Sequence, residues 1–115
     1  MKIIIAGGRY FIPQKQHHIW LITKLKEIGC TEVICGMAKG ADTFGMMVAL
    51  QNGFEVLRFY ANWDKYGKSA GYKRNIEMAK VADACILFPG GRGTGHVKNI
   101  AIKHRLQLIE YKDGI

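Results

Sequence analysis

The segment best suited to chemistry is a glycine-rich loop, Pro89-Gly90-Gly91-Arg92-Gly93-Thr94, which directly follows the apolar stretch from Ala84 to Phe88. An apolar run that ends in glycines and a hydroxyl residue is typical of a buried parallel strand leading into a helix. Glycine lets the main chain approach a ligand, and the N–H groups at a helix N-terminus favour an anion. The loop therefore predicts contact with a phosphate or a ribose. On the alternative interpretation, it is only a strand-to-helix turn with Thr94 as N-cap.

Three further segments with unusual residues follow other apolar runs. They are Gly7-Gly8-Arg9, Gly36-Met37-Ala38-Lys39-Gly40-Ala41-Asp42 and Ala61-Asn62-Trp63-Asp64. In an open α/β sheet, ligands bind at the carboxyl ends of the strands, especially beside a topological switch point. We therefore expect all four segments to lie together at one ligand-binding edge.

Several charged residues in these segments are candidates for ligand contact. Arg9 follows the first strand and is interpreted as a ligand group, whereas Arg92 either contacts the ligand or is solvated. Asp42 is interpreted equally as the N-cap of a helix and as a carboxylate that accepts ribose or base hydrogen bonds. It is also a candidate catalytic group.

Arg74 is predicted in the first turn of a helix, where a cation is unfavourable to the helix dipole. A bound anion or a carboxylate such as Glu77 would offset that cost, and we favour the anion because Lys68 and Lys73 add positive charge nearby. The neighbouring Asn75 is expected to bond a ribose hydroxyl or to cap backbone groups.

Aromatic residues cluster in two of the same regions, with Trp63, Tyr66 and Tyr72 in one and Tyr10 and Phe11 in the other. One of them is expected to stack on a nucleobase, while the others seal a loop against the core or a partner subunit.

Histidines give no metal signal. His17 and His18 begin a predicted helix without a further ligand set, so no metal and no cofactor is expected. His96 is a candidate catalytic group, although a histidine on a helix face is more often packed or solvated.

Strand-like and helix-like segments alternate along the chain. This alternation predicts a compact, Rossmann-like three-layer α/β fold with a five-stranded parallel sheet of order 3-2-1-4-5. The predicted strands are Lys2 to Ala6, Glu32 to Cys35, Glu55 to Phe59, Ala84 to Phe88 and Leu108 to Tyr111. The predicted helices are Pro13 to Ile28, Ala41 or Asp42 to Gly53, Gly71 to Val81 and Thr94 to Arg105.

Length and composition fit one globular domain over residues 1–115, because 49% of the residues are hydrophobic. No apolar run approaches the roughly 20 residues of a membrane helix, and the start of the chain is too short for a signal peptide. Cys30, Cys35 and Cys85 lack C-x-x-C spacing and are interpreted as free, mostly buried thiols. A cytoplasmic protein is therefore expected, in the host cytoplasm if a phage encodes it.

Positive charge predominates, with 17 Lys and Arg against 9 Asp and Glu and a formal net charge of +8. This surplus favours an anionic partner, either a phosphorylated small molecule or a nucleic acid. Nucleic acid is the less favoured partner, because the basic residues form no continuous stripe in the sequence.

The ordered set of motifs resembles the SLOG superfamily, and more closely its small YspA-like branch, DUF2493, found in phages and bacteria. The motifs are Gly7-Gly8-Arg9, Gly36-x-Ala38-x-Gly40-Ala41-Asp42, Trp63-Asp64-x-Tyr66-Gly67-Lys68-x-Ala70-Gly71-x-x-Arg74-Asn75-x-x-Met78, Asp83 and Pro89-Gly90-Gly91-x-Gly93-Thr94. The resemblance covers nearly the whole chain and implies a nucleotide-binding Rossmann-like fold. The superfamily joins the DNA-processing protein DprA with the LOG phosphoribohydrolases.

LOG enzymes place Met, Asp and the Pro-Gly-Gly loop four, nine and fifteen residues after an Arg, the spacing of Arg74, Met78, Asp83 and Pro89. In those enzymes the Arg and a Glu that follows the glycine loop act on a nucleoside monophosphate. Here Val97 takes the place of that Glu, so the expected carboxylate is missing. LOG relatives form dimers, and the resemblance therefore implies a homodimer or higher homo-oligomer.

Three functions follow. The favoured one is a sensor or sequestering protein for a nucleotide-derived ligand, such as an ADP-ribose relative or a cyclic nucleotide, without catalysis. The second is a LOG-like phosphoribohydrolase that uses Asp42 or His96 in place of the missing Glu, with Arg74 as a further candidate catalytic residue. The third is DprA-like binding of single-stranded nucleic acid.

Overall fold

The computed structural model describes residues 1–112 and contains one five-stranded sheet flanked by helices. The strands are β1 (Lys2–Ala6), β2 (Glu32–Cys35), β3 (Glu55–Arg58), β4 (Ala84–Leu87) and β5 (Gln107–Glu110). The helices are α1 (Lys15–Glu27), α2 (Ala41–Gln51), the short α3 (Trp63–Tyr66), α4 (Ala70–Val81) and α5 (Arg92–Lys103). A 3₁₀ turn, Gly67–Ser69, joins α3 to α4.

All strand pairs are parallel and their order is β3-β2-β1-β4-β5, which confirms the predicted architecture. Ile4 at the centre of β1 is level with Ile34 of β2 and Cys85 of β4. Because the chain moves from β1 to β2 on one side and returns to β4 on the other, the switch point lies between β1 and β4.

Alternating residues of the sheet supply two apolar cores. Ile3 and Ile5 of β1 face one core with Leu21 and Leu25 of α1 and with residues of α2. Ile4 and Ala6 face the other core, together with residues of α4 and α5. The helices therefore lie in pairs on opposite faces, and the loops that follow the strands meet at one edge.

Several predicted boundaries are wrong by one or two residues. The segment Trp63–Tyr66, predicted as loop, forms a helical turn, because the Asn62 side chain accepts a hydrogen bond from the Lys65 N–H. The helix predicted from Gly71 begins at Ala70, and the one predicted from Thr94 begins at Arg92. Glycines near both starts hide these boundaries in the sequence.

Among residues 1–112, no helix has the length and apolar character needed to cross a membrane. The three cysteines are free: Cys35 and Cys85 are buried, and Cys30 is partly buried. Burial raises the pKa of Cys30 to about 11 and that of Cys85 to about 12, so both thiols stay protonated at neutral pH.

Candidate ligand-binding cleft

A cleft of about 1140 Å³ lies where the carboxyl ends of the strands meet, beside the switch point between β1 and β4. Its walls come from the segments after β1, β2, β3 and β4 and from α4 and the start of α5. All the residues predicted to bind a ligand line this cleft, except Gly40 and Ala41. They are Gly7, Gly8, Arg9, Gly36, Asp42, Trp63, Lys68, Arg74, Asn75, Pro89, Gly90, Gly91, Arg92, Gly93 and Thr94.

Gly40 and Ala41 hold the β1 loop in place and do not line the cleft. The Ala41 N–H donates to the Gly8 carbonyl at 3.1 Å, and the Phe11 N–H donates to the same oxygen at 3.2 Å. Gly40 is the N-cap of α2 with a φ of +77°, and a Cβ at this residue would overlap the Gly8 carbonyl. Only glycine fits here, for conformational and steric reasons.

The loops after β1 and β4 touch through their backbones. The Gly8 N–H donates to the Pro89 carbonyl at 2.9 Å, and a Cβ at Gly90 would lie 2.7 Å from the Gly8 Cα. Gly90 is therefore required for packing between the loops, which fixes the position of the residues that follow it.

The residues after Gly90 leave the N-terminus of α5 open. Gly91 is the N-cap, and a Cβ at Gly91 or Gly93 would meet nothing within 4 Å. Within residues 1–112, the N–H groups of Arg92, Gly93 and Thr94 donate to no acceptor. Such unpaired N–H groups at the end of a 12-residue helix are suited to an anion. Gly91, and not Thr94, is the N-cap, so this detail of the alternative interpretation is wrong.

The side chains of Asp42 and Arg74 both lie close to Gly36 at the wall of the cleft. Asp42 Oδ2 and Arg74 Nε are 2.9 and 3.1 Å from where a Cβ at Gly36 would lie. Asp42 is 5% exposed, and burial raises its pKa from 3.8 to about 6. The Arg74 charge and hydrogen bonds from the Ala38 and Gly7 backbones oppose that rise. Asp42 is therefore a carboxyl that changes its charge near neutral pH.

Two of the alternatives for these side chains are wrong, and so is the predicted place of Arg74 in its helix. Asp42 is not the N-cap of α2, because Gly40 takes that position and Asp42 lies within the first turn. Glu77 does not pair with Arg74, since it lies 3.5 Å from Lys80. Arg74 instead donates from Nη1 to the Gly36 carbonyl at 2.7 Å. It is also the fifth residue of α4 and so lies beyond the first turn.

A chain of polar contacts continues from Arg74 to α5. Arg74 Nε donates to Asn75 Oδ1 at 3.3 Å, and Asn75 Nδ2 lies 3.2 Å from His96 Nδ1. The His96 ring also packs edge-on against Tyr72, with 4.2 Å between ring centroids. Burial lowers the pKa of His96. His96 does not line the cleft; this candidate catalytic group contacts two lining residues, Asn75 and Tyr72.

The deep wall of the cleft is apolar where a LOG enzyme has its carboxylate. Val97 and Met78 line the cleft and are buried in the core shared by α4 and α5. Asp83, interpreted as structural, lies at the opposite edge of the sheet, where its carboxylate accepts a hydrogen bond from the Lys2 N–H at 2.8 Å.

Exposed aromatic side chains surround the cleft. Trp63, Tyr72 and Tyr10 line it with 59%, 48% and 87% of their surface exposed. Tyr60 also lines it and was missed from the sequence, although its place just after β3 could have indicated it. Phe11 is only partly exposed, because its ring packs against Phe44 and Phe88 in the core.

Met37, Ala38, Lys39 and Ala61 also line the cleft, within segments that the sequence predicts at this edge, whereas Ala6, Gly71 and Met78 were not predicted to line it. His17, expected at a helix start, is buried among aromatic rings. In the part of the chain that the structure describes, no three His, Cys, Asp or Glu side chains are grouped so that they could hold a metal ion.

The fold and the cleft define a Rossmann-like α/β protein with a basic, aromatic-lined cleft at its topological switch point. The chain is 40% identical over 92 residues to the Gene 61 protein of Mycobacterium phage D29, and the alignment covers 70% of this chain and 71% of that protein. The chain belongs to the family of that phage protein. No family model and no solved structure matches it.

Proposed function

We propose that this protein binds a nucleotide-derived small molecule in the cleft, as a sensor or a sequestering protein, and that its family is a branch of the SLOG superfamily. The observation that carries the proposal is the open N-terminus of α5 within a cleft that also contains basic and aromatic side chains. The three unpaired N–H groups would hold a phosphate. Exposed rings such as Trp63 and Tyr72 would stack on the base.

The size and charge of the cleft support a ligand larger than a single phosphate. A volume of about 1140 Å³ lies just above the usual range of small-molecule pockets, which is roughly 300–1,000 Å³. The basic residues Arg9, Lys39, Lys68, Arg74 and Arg92 line it, and within residues 1–112 Asp42 is the one acid that does so. This charge balance suits a ligand with one or more phosphates, such as an ADP-ribose relative or a cyclic nucleotide.

Isothermal titration calorimetry tests the proposal with AMP, ADP-ribose and cyclic AMP as probes. We expect saturable binding of at least one probe, weakened about tenfold in Arg92→Gln by loss of a charge-assisted contact. Arg58→Gln is the matched control, because Arg58 is an exposed residue that does not line the cleft. The absence of binding across phosphorylated nucleosides, or equal loss in both variants, would contradict the proposal.

A second candidate function is hydrolysis of a nucleoside monophosphate with Asp42 as acid or base. A specific observation favours it: Asp42 is a buried cleft carboxyl with a pKa near 6, within the range of general acid–base groups. Release of free base from AMP or another monophosphate, abolished in Asp42→Asn, would support this function. Binding without turnover would support the sensor.

We also propose that the protein forms homo-oligomers. Support comes from the resemblance and from α4, where Tyr72, Ile76 and Val81 are exposed apolar side chains. Light scattering coupled to size-exclusion chromatography should give at least twice the monomer mass of 12.9 kDa. A monomer at high micromolar concentration would contradict this proposal.

A further inference from the structure

His96 belongs to a polar chain that ends at the cleft. Asn75 is 5% exposed and lies between Arg74 and His96, and Arg74 is itself bound to the Gly36 carbonyl at the cleft wall. The contacts therefore link a ring on α5 with a guanidinium in the cleft.

Chemistry fixes the direction of each hydrogen bond in this chain. An arginine has donors only, so the Asn75 oxygen must face Arg74 Nε. The Asn75 nitrogen then faces His96, and because that amide nitrogen also only donates, His96 Nδ1 must accept. The ring is therefore neutral, with its proton on Nε2.

A second proton on the ring would break this arrangement. Nδ1 would become a donor facing the donor Nδ2 of Asn75, and turning the amide over would place its nitrogen against Arg74. Tyr72 and Asn75 face His96 from α4, and Arg92 precedes it by one turn on α5. None of these groups offers a carboxylate that would stabilise the protonated ring.

We propose that His96 is a positioning residue for the ligand cleft: its neutral ring orients Asn75, which in turn holds Arg74 in the direction of the bound anion. The inference rests on the proposed function for the role of Arg74, but the orientation itself is a property of the free protein. It assigns His96 a role that differs from catalysis and from simple packing.

The test combines two readouts on wild type, His96→Leu and His96→Asn. In His96→Asn the side-chain oxygen takes the place of ring Nδ1 and accepts from Asn75 at every pH. His104→Asn is the matched control, because His104 is exposed at the C-terminal end of the same helix. The readouts are exchange of the Arg74 Nε proton by NMR in the free protein and the affinity for ADP-ribose by calorimetry.

At pH 7.5 we expect the Arg74 Nε proton to exchange about tenfold faster in His96→Leu than in wild type, with His96→Asn and His104→Asn unchanged, because one hydrogen bond from a charged group is lost. As the pH falls and the His96 ring becomes protonated, the wild type should lose this protection, whereas His96→Asn should keep it. The ratio of their ADP-ribose affinities should change over the same pH range, since titration of Asp42 and of the phosphate is common to both proteins and cancels.

Equal protection of Arg74 in wild type and His96→Leu, or the same pH profile in wild type and His96→Asn, would overturn the inference. If Arg74 shows the expected protection pattern while no protein binds a nucleotide, the positioning role stands and the proposed function fails. If a nucleotide binds but the His96 variants leave the exchange of the Arg74 Nε proton unchanged, the proposed function stands and the positioning role fails.

Discussion

The N-termini of α2 and α5 reach the same edge of the sheet but differ in what occupies them. At α2, the Ala41 N–H is bonded to Gly8, the Asp42 and Thr43 N–H groups donate to no backbone acceptor within residues 1–112, and the buried Asp42 carboxyl lies in the first turn. At α5, the first turn contains no acid, and the N–H groups of Arg92 to Thr94 donate to no acceptor within residues 1–112. A carboxylate is favourable at a helix N-terminus, as an external anion is. We infer that the carboxyl of Asp42 disfavours an external anion at α2, whereas the N-terminus of α5 is left for the anion of a ligand.

The comparison also shows that glycines at the two helix starts have different causes. Gly40 is fixed by its left-handed φ and its contact with Gly8, whereas Gly91 and Gly93 have open space around them. Packing therefore explains the glycine at Gly40 but not those at Gly91 and Gly93. Close approach of a ligand would explain them.

The largest effect should come from Gly40→Ala. The alanine must adopt a φ near +77° and also move away from Gly8, and together these should destabilise folding by about 3–5 kcal/mol. Gly53→Ala is the matched control, because Gly53 has the same φ of +77° with nothing within 4 Å. That change should cost only about 1–2 kcal/mol. Urea denaturation measures both values, and equal losses would show that contact with Gly8 is unimportant.

A smaller effect on stability is expected at Asp42, the buried carboxyl in the first turn of α2. A folded pKa of about 6 against 3.8 means that the folded state binds this proton more tightly than the unfolded state. The contribution is therefore favourable at low pH and is lost as pH rises from about 4 to about 6. At pH 7 the charged group costs about 3 kcal/mol.

Asp42→Asn should therefore be more stable than wild type at pH 7, by up to about 3 kcal/mol, with the difference shrinking toward pH 4. Thermal and urea unfolding from pH 4 to pH 8 measures it. Asp64→Asn, at the exposed start of α3, controls for the loss of a negative charge. A variant that is less stable than wild type at every pH would show that Asp42 stabilises the fold as a carboxylate.

The smallest change in stability, with the clearest change in binding, should come from Gly93→Ala. The methyl group meets nothing, and alanine is the better helix former, so stability should stay equal or rise by up to about 1 kcal/mol. Affinity for ADP-ribose should fall about tenfold or more, because the methyl group would occupy the space of the phosphate. Gly95→Ala is the matched control on the same helix, since Gly95 is also open and does not line the cleft. Equal affinities in both variants would count against an anion at α5.

The strands and their order could be predicted because buried parallel strands leave apolar runs such as Ile3-Ile4-Ile5 and Ala84 to Phe88, which glycines end abruptly. The edge that carries the cleft followed from that order. Helix starts were harder, because Arg92 and Gly93 are poor signals of a helix and Trp63–Tyr66 is too short for a periodic pattern. Local composition could not give these boundaries.

The separation of the candidate residues into packing and open positions also lay beyond the sequence. Gly40 and Gly93 are both glycines near a helix start, and they differ only in the folded chain, where Gly40 has a positive φ and touches Gly8. The contact of His96 with Asn75 joins two residues that lie 21 positions apart on different helices, so no spacing rule predicts it. Tertiary packing decides such contacts.

We propose that a nucleotide-derived ligand places its phosphate at the N-terminus of α5. A titration of the ¹⁵N-labelled protein with ADP-ribose, with AMP as a second probe, tests it by following backbone amide signals. We expect saturable shifts that are largest for the amides of Arg92, Gly93 and Thr94. The amide signal of Ala41 should change little, because its N–H is already bonded to Gly8. Shifts centred on the start of α2, or no saturable shifts with either probe, would contradict it.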